Sequence, residues 1–238
     1  GIKQFDSIYT LNEKSKKVIE SIGNKNTIIC GDLRFDADIP KLTKKASDNI
    51  SKFIDNKTCV VFGSTWREDE DIILRYIKNS DRKIKYIIAP HEIFNNPKRI
   101  KKNLGDESIL YSDIKSSTNL QEFSCVIVDN IGMLSALYNY SSISYVGGGM
   151  GKKGLHNTLE PAYFSKPIII GKNYQKFEEA NEMIKNGNMI SISNYNEFYN
   201  AIESIIDNEN LLIKMSKKCK EYFDKKKGAV KIILNDLK

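Results

Sequence analysis

The chain has 238 residues, 40% of them hydrophobic, with a net charge of +7 and a pI of about 9.0. This length allows one large α/β domain, or one domain with an appendage, and the apolar content is enough for a buried core. No apolar run approaches the ~20 residues of a membrane-spanning helix, and residues 1–4 resemble the interior of a longer protein more than a signal peptide.

The positive charge suits an anionic substrate, an anionic membrane surface or nucleic acid. A solvated, lysine-rich surface explains it equally well. The basic residues are not interleaved with aromatic ones, and no helix-turn-helix or RNA-binding signature occurs, so we expect no nucleic-acid partner. Four dispersed cysteines without a CxxC spacing argue against zinc and favour a reducing compartment, where they would serve as small core residues.

Short apolar segments alternate with helical patterns along the chain. The predicted strands are 27–30, 58–62, 84–89, 124–128, 143–146, 166–170 and 189–192. Helices are predicted to end at 22, to contain 50–54, 68–77 and 177–184, to begin near 133 and 158, and to follow from 196 onward. Nearly continuous apolar strands are typical of a parallel sheet covered on both faces, and the alternation predicts a Rossmann-like, doubly wound α/β fold.

Polar signals directly follow five of these strands. They are Arg34, the pair Ser64 and Thr65, the pair Pro90 and His91, Gly132, and a glycine-rich loop at 147–154. Ligands of doubly wound sheets lie beyond the carboxyl ends of the strands, near the point where strand order reverses. We therefore predict that all five signals meet on one rim of the sheet.

The stretch 145–162 carries the most concentrated signal. Its loop has five glycines in eight positions, and a helix is predicted to begin near Thr158. Glycine N–H groups and a helix N-terminus favour a phosphate, while the Glu160 carboxylate can accept hydrogen bonds from the vicinal hydroxyls of a ribose. The spacing predicts a nucleotide site. Plain tight turns, with residues 156–158 acting as a helix cap, are the alternative.

The segments 31–36, 63–65, 89–91, 129–134 and 154–162, in this order, resemble the carboxyl-terminal half of the Kdo (3-deoxy-D-manno-octulosonic acid) transferases of lipid A biosynthesis. The resemblance covers nearly the whole chain. It implies the carboxyl-terminal domain of a GT-B glycosyltransferase, which binds the donor CMP-Kdo. The family transfers Kdo with inversion to a lipid A precursor, using a catalytic base in an amino-terminal domain that this chain would lack.

The resemblance also implies a setting. The full-length enzyme would act in lipopolysaccharide biosynthesis of the cell envelope, at the cytoplasmic face of the inner membrane, through an amino-terminal anchor. This fragment would be soluble and, without the base, inactive. The implied division is 1–26 as a joining segment, 27–212 as the CMP-Kdo-binding domain and 213–238 as a lysine-rich helical tail. That tail could meet the missing domain, pack on its own sheet or touch a membrane.

Individual roles follow from the same resemblance. Arg34 falls where the family has a basic residue, commonly lysine, thought to stabilise the transition state, and a cation there would stabilise the departing phosphate. An ion pair with Asp32 or Asp36 is the alternative. The expected CMP-Kdo contacts are Ser64, Thr65, Pro90, His91, Gly132, Met133, Leu134, Gly148, Gly149, Asn157, Thr158, Leu159 and Glu160.

Several of these positions have structural alternatives. His91 stands where many relatives have arginine, so a full charge at pH 7 is in doubt, and it could be purely structural. Many relatives have glutamate where Met133 stands, which favours a backbone contact and a buried side chain. Thr65 and Asn157 could cap helices, and Leu159 is expected in the core.

The remaining polar and aromatic signals are expected to be structural or to set the local charge. Trp66 is expected to pack rather than to stack, and Lys152 and Lys153 either surround the phosphate or form a solvated pair. Asp69 and Asp71 lie in a helical run and are expected to be solvated, so we predict no metal, no cofactor and metal-independent chemistry.

Two other functional classes stay open. A UDP-sugar-dependent GT-B transferase or a UDP-sugar 2-epimerase would also explain the glycine loop and Glu160, although not the segments at 90–91 and 132–134. A non-catalytic binding module is possible if the chain naturally lacks an amino-terminal half.

Overall fold

A computed structural model describes residues 1–238. The chain forms two compact units, one of residues 39–220 and a smaller one of residues 1–38 together with 221–238. These limits differ from the sequence-based division at 26 and 212. The assignment of functional roles to the predicted segments stays a prediction.

The larger unit alternates strands with helices, as predicted. Its strands are β3 (Cys59–Thr65), β4 (Lys85–Pro90), β5 (Ser108–Leu110), β6 (Cys125–Ile127), β7 (Ile143–Val146), β8 (Ile168–Gly171) and β9 (Met189–Ile192). Its helices are α2 (Lys44–Ile54), α3 (Arg67–Asn79), α4 (Asn96–Leu104), α5 (Leu134–Leu137), α6 (Leu159–Tyr163), α7 (Glu178–Asn186), α8 (Tyr195–Ile206) and most of α9 (Glu209–Lys226).

The seven strands form one parallel sheet in the order β5-β6-β4-β3-β7-β8-β9. From β3 the chain passes to its neighbour β4 and then to the edge strand β5, returns to place β6 between β5 and β4, and then places β7 on the other side of β3. Strand order therefore reverses between β3 and β7, and the predicted doubly wound fold is confirmed. Ligands of such sheets lie in the crevice at this reversal.

The strands are buried because their side chains are apolar on both faces. Every residue of β3 is buried except Ser64, and β4 and β7 are buried throughout. On one face Phe198 of α8 lies against the rings of Phe62, Tyr76 and Tyr145, with ring centroids 5.6–6.3 Å apart. Aromatic rings at these distances prefer the tilted and edge-on geometries seen here.

Two elements of the larger unit were missed by the sequence analysis. Helix α4 is strongly basic and buries only Pro97 and Ile100, so its apolar stripe is too sparse to detect. Strand β5 has three residues and forms the edge of the sheet beside β6. Both escape periodicity because the pattern needs a longer window than they offer.

The smaller unit contains β1 (Ile8–Thr10), α1 (Glu13–Ser21), β2 (Thr27–Ile29), the end of α9 and α10 (Ala229–Asp236). Strand β2 pairs with β1 in a separate two-stranded parallel sheet. The prediction that the strand before Arg34 ends on the same rim as the other four is therefore wrong. A small aromatic core holds this unit, with Phe35 against Tyr222 and Phe223 at 5.8 and 5.0 Å.

The predicted helical tail is two helices, because Gly228 adopts φ +119° between α9 and α10. Asp36 holds the start of α10, accepting hydrogen bonds from the N–H groups of Gly228 at 2.8 Å and Val230 at 2.9 Å. A membrane-crossing helix would need more length and apolar character than any helix here has.

Candidate functional site

Four of the five predicted strand-end signals meet at the carboxyl edge of the seven-stranded sheet. They lie at the carboxyl ends of β3 and β4 and after β6 and β7, and β3 pairs with both β4 and β7. Backbone hydrogen bonds then tie the turns together: His91 N–H donates to the Thr65 carbonyl at 2.9 Å, and Gly147 N–H donates to that of Gly63 at 2.9 Å. His156 N–H closes the glycine loop onto the Gly147 carbonyl at 3.1 Å.

The carboxyl end of β3 approaches the glycine loop so closely that a side chain would not fit between them. Ser64 adopts the left-handed conformation, with φ +51°. A Cβ at Gly147 would collide with the Ser64 carbonyl oxygen and with the backbone of Thr65. Glycine at 147 is therefore required by backbone contact between two strand ends.

Asp69 lies at the centre of this arrangement and is fully buried. Its carboxylate accepts from the Tyr145 hydroxyl at 2.6 Å, from Gly148 N–H at 2.8 Å and from Trp66 N–H at 2.9 Å. Burial raises the pKa of Asp69 and outweighs these hydrogen bonds, which act in the opposite direction. The expectation that Asp69 is solvated is wrong, whereas Asp71 is exposed and pairs with Arg67 across one helical turn.

Asp69 changes the interpretation of the glycine loop. The Gly148 N–H, predicted to hold a phosphate, donates to this internal carboxylate and is not available to a ligand. Gly149 packs against the backbone of Gly171, at the end of β8. Helix α6 has only five residues, so its dipole is weak. The loop is thus an anion-binding turn whose anion is part of the protein.

Three rings form a stack above this turn. Trp66 and His156 lie edge to edge, with the indole Nε1 donating to His156 Nε2 at 2.8 Å. The His91 imidazole covers both, with its centroid 4.5 Å from each. Trp66 therefore packs within the protein, as expected, and it does so by stacking on the His91 ring. On Trp66 the exposed Lys153 adds an ammonium group 4.8 Å from the ring centroid.

Glu160 lies in the first turn of α6 and is partly buried. Its Oε1 accepts from Asn157 Nδ2 at 3.3 Å, and Ser135 of α5 also hydrogen-bonds to it. No cation pairs with it, and burial raises the pKa of Glu160. Two predicted contact segments, 132–134 and 157–160, are thus brought together by the Ser135–Glu160 contact.

The neighbouring Thr158 has an unsatisfied polar group. Its side chain is buried, and its hydroxyl oxygen makes no hydrogen bond. Buried hydroxyls without a partner are rare, because the lost hydration is not replaced. The N-cap position of α6 is Thr158 and not Asn157; the Asn157 Oδ1 instead accepts from Leu159 N–H at 3.1 Å, one residue before the helix cap.

The other predicted contacts differ in how accessible they are. His91 and Gly132 are exposed, Ser64 and Leu134 are partly exposed, and Pro90, Met133 and Leu159 are buried. Thr65 is fully buried and donates its hydroxyl proton to Glu70 at 3.1 Å, so a ligand contact would require that bond to break. Thr65 does not cap α3, because the capping position is Trp66.

Arg34 belongs to the smaller unit, in the turn after β2. Its guanidinium donates from Nη2 and Nε to one Asp32 oxygen, at 2.7 and 2.9 Å, as the alternative interpretation foresaw. The Asp32 carboxyl has a lowered pKa: burial acts to raise it most strongly, and hydrogen bonds from Arg34 outweigh that effect.

Asp69, Ser135 and His156 are the residues of this site that sequence reasoning missed as contributors. One signal for Asp69 was present, since an acidic residue three positions after Trp66 fits a capping box. Nothing local indicated Ser135. No group of three or more His, Cys, Asp or Glu side chains is arranged to hold a metal ion, and all four cysteines are buried and free.

Comparison with known proteins gives this geometry a context. No family model matches the chain. The chain is 31% identical over 218 residues to a 3-deoxy-D-manno-octulosonic acid transferase of Rickettsia typhi (strain ATCC VR-144 / Wilmington), which covers 89% of the chain and 46% of that protein. The chain spans about half the length of the curated relatives it matches.

Solved structures show the same fold. The C-terminal CMP-Kdo binding domain of WaaA from Acinetobacter baumannii aligns with a TM-score of 0.59 and 23% identity, covering 74% of this chain and 97% of that domain. Anabaena Alr3699/HepE in complex with UDP-glucose aligns with a TM-score of 0.54 and 13% identity, over 97% of this chain and 62% of that one. The chain is therefore a homologue of the 3-deoxy-D-manno-octulosonic acid transferases, corresponding to about half of their length, and it has the fold of a GT-B glycosyltransferase domain.

Proposed function

We propose that the chain is the donor-binding part of a glycosyltransferase that moves Kdo from CMP-Kdo to a hydroxyl of a lipid A precursor, with inversion at the anomeric carbon. The acceptor and the catalytic base would be contributed by an amino-terminal domain outside residues 1–238. Without that base, the isolated chain binds the donor but does not transfer it.

The environment of Glu160 is the observation that carries the proposal. A partly buried carboxylate without a cation has been taken from water without full compensation, which is costly unless donors arrive from elsewhere. Vicinal hydroxyls of a ribose supply two such donors. The unpartnered hydroxyl of Thr158, two residues earlier, is a second group that a bound nucleotide would satisfy.

The remaining predicted contacts have compatible roles in this proposal. These contacts lie at or just after the carboxyl ends of neighbouring strands and would surround CMP at the strand-order reversal; they are Ser64, Pro90, His91 and the segment 132–134. Arg34 would stabilise the charge that develops on the departing phosphate, exchanging its Asp32 pairing for the ligand. The chemistry proposed here needs no metal.

The proposed acceptor also implies where the full-length enzyme acts. A lipid A precursor is held in a membrane, so the full-length enzyme would act at the cytoplasmic face of the inner membrane. The homology to Kdo transferases supports this placement.

Calorimetric titration of the chain with CMP, and with UMP as the comparison nucleotide, tests the function. We expect CMP to bind more tightly than UMP. Glu160→Ala removes two charge-assisted hydrogen bonds, worth about 1.5 kcal/mol or more each, so CMP affinity should fall by about a hundredfold or more.

Glu197→Ala is the matched control, because Glu197 also lies in the first helical turn after a strand, at the distant edge strand β9. Its CMP affinity should equal that of the parent chain. Equal CMP binding by folded Glu160→Ala would show that the ribose assignment is wrong. Tighter binding of UMP would move the chain to the UDP-sugar enzymes.

A further inference from the structure

Two N–H groups of the glycine loop are already engaged by a carboxylate of the protein. The Gly148 N–H donates to Asp69, and Met150 N–H also hydrogen-bonds to that carboxylate. A phosphate in this crevice would use donors other than these two N–H groups. The ring stack of Trp66, His91 and His156 offers one.

The hydrogen bond between Trp66 and His156 determines which imidazole nitrogen carries a proton. An indole N–H can only donate, so His156 Nε2, which lies 2.8 Å from it, must be the unprotonated acceptor. Burial, followed by the neighbouring His91, lowers the pKa of His156 and keeps the ring neutral near pH 7. The single proton of the neutral ring is then on Nδ1.

The same contacts fix the orientation of this ring. The backbone N–H of His156 donates to the Gly147 carbonyl, and the ring edge at Cδ2 faces Gly148. The His91 ring stacks on the His156 ring, with 4.5 Å between the two centroids. A side chain held at its backbone, one edge and one face is pre-organised, so little entropy is lost when it binds a ligand. His156 is partly exposed and directly precedes Asn157, at the start of the segment that holds Glu160.

We propose that His156 is a ligand-binding residue whose Nδ1–H, fixed in that tautomer by the Trp66 indole, donates a hydrogen bond to an anionic phosphate oxygen of the donor nucleotide. Trp66 is a positioning residue in this arrangement. The inference rests on the proposed function, since it assigns the phosphate contact within the same site.

Titration of the parent chain and of His156→Phe with CMP and with cytidine tests the assignment. Phenylalanine keeps the stacking surface but has no N–H. Because a hydrogen bond to a charged group is worth about 1.5–3 kcal/mol, CMP affinity should fall by about tenfold or more. Cytidine lacks the phosphate, so its affinity should be unchanged, and that unchanged value also shows that the variant is folded.

Two further variants separate donation from packing. In His156→Gln the amide oxygen can accept from Trp66 while the amide nitrogen donates, so this variant should recover part of the lost CMP affinity. Trp66→Phe removes the indole donor. The imidazole nitrogen shifts of His156 should show the Nδ1–H tautomer in the parent and a mixture of tautomers in Trp66→Phe.

The outcomes distinguish the two proposals. If the parent binds CMP and His156→Phe binds it equally well, or loses cytidine to the same extent as CMP, this inference is overturned while the donor-binding function stands. If the parent binds neither compound, the proposed function is overturned and the inference with it. A parent ring found protonated at Nε2 contradicts the tautomer on which the inference depends.

Discussion

The two units of the chain bury their apolar side chains to very different extents. Of the fourteen large hydrophobic side chains that are exposed, ten lie in the smaller unit, which has 56 residues (38 + 18). They are Phe5, Leu11, Val18, Ile22, Ile29, Leu33, Val230, Ile232, Leu234 and Leu237. The larger unit instead surrounds a continuous aromatic and aliphatic core.

The two units also differ in how they shift the pKa of a carboxyl group that accepts backbone hydrogen bonds. Asp69 in the larger unit and Asp36 in the smaller unit both accept hydrogen bonds from several backbone N–H groups. Burial raises the pKa of Asp69, whereas hydrogen bonds, first of all from Val230 N–H, lower the pKa of the accessible Asp36. The same kind of hydrogen bond therefore accompanies a raised pKa in a deep core and a lowered pKa near the surface.

A core substitution tests this comparison most severely. Phe198→Ala removes a fully buried ring from the centre of the larger unit. We expect the free energy of unfolding to fall by about 3–5 kcal/mol. The fluorescence of Trp66, the only tryptophan, reports the transition in urea. Leu234→Ala, at an exposed position of the smaller unit, should change the free energy of unfolding by less than about 0.5 kcal/mol. Comparable losses in both variants would refute the contrast.

The two carboxylates provide the next test. Asp69→Asn leaves buried donors facing an amide, so we expect a loss of about 1.5–3 kcal/mol in the same urea experiment. Asp36→Asn should cost about 0.5–1 kcal/mol, as for a helix cap, and should speed amide hydrogen exchange in α10. Asp71→Asn is the control two residues from Asp69, at an exposed position where little change is expected.

The pH dependence of these losses should have opposite signs. The folded-state pKa of Asp69 is above its ordinary value of 3.8, so its contribution to stability is largest below that pH and declines as pH rises through the folded pKa. The folded-state pKa of Asp36 is below 3.8, so its contribution is present above 3.8 and is lost as pH falls through the folded pKa. Unfolding curves of each variant and its parent, measured at several pH values, should show the two slopes.

Cysteine reactivity gives the smallest but most direct comparison. Cys59, Cys125 and Cys219 of the larger unit are fully inaccessible, and burial raises the pKa of Cys59 and of Cys219 to about 12. Cys30 of the smaller unit retains 8% exposure, and burial raises its pKa as well. Thiol labelling of the native chain should therefore modify Cys30 first, and Cys30→Ser should abolish the early phase. Early labelling of Cys59 would contradict the buried core.

Periodicity and strand-end chemistry predicted most of the larger unit. Strands such as β3 and β8 begin as continuous apolar runs, and polar residues come at or after their carboxyl ends, so both the sheet and its functional edge could be inferred. The pairing of β2 could not be inferred, because 27–30 has the same local pattern as a strand of the main sheet. Only the partner, β1, distinguishes it, and β1 has three residues.

The parts of the site that were not predicted depend on contacts distant in sequence. Asp69 and Asp71 look alike in a charged helical run, and the glycine loop that buries Asp69 begins 78 residues later (147 − 69). The stacking of Trp66 needs His91 and His156, which come from two other turns. The types of these residues can be read from the local sequence, whereas their burial depends on which strands pair.

The pairing of β3 with β7 has a consequence for how the site is made. Val60 and Ile143 are register partners, so β4, β5 and β6 all lie within the loop that this pair closes. Closing such a loop carries an entropic penalty that grows with its length, and non-local strand pairs slow folding. A nascent chain that ends before β7 can pair β3, β4, β5 and β6, yet it has no glycine loop, no ring stack and no acceptor for the Trp66 indole. The binding crevice is therefore a late product of folding, and slow β3–β7 pairing would delay function more than it delays secondary structure.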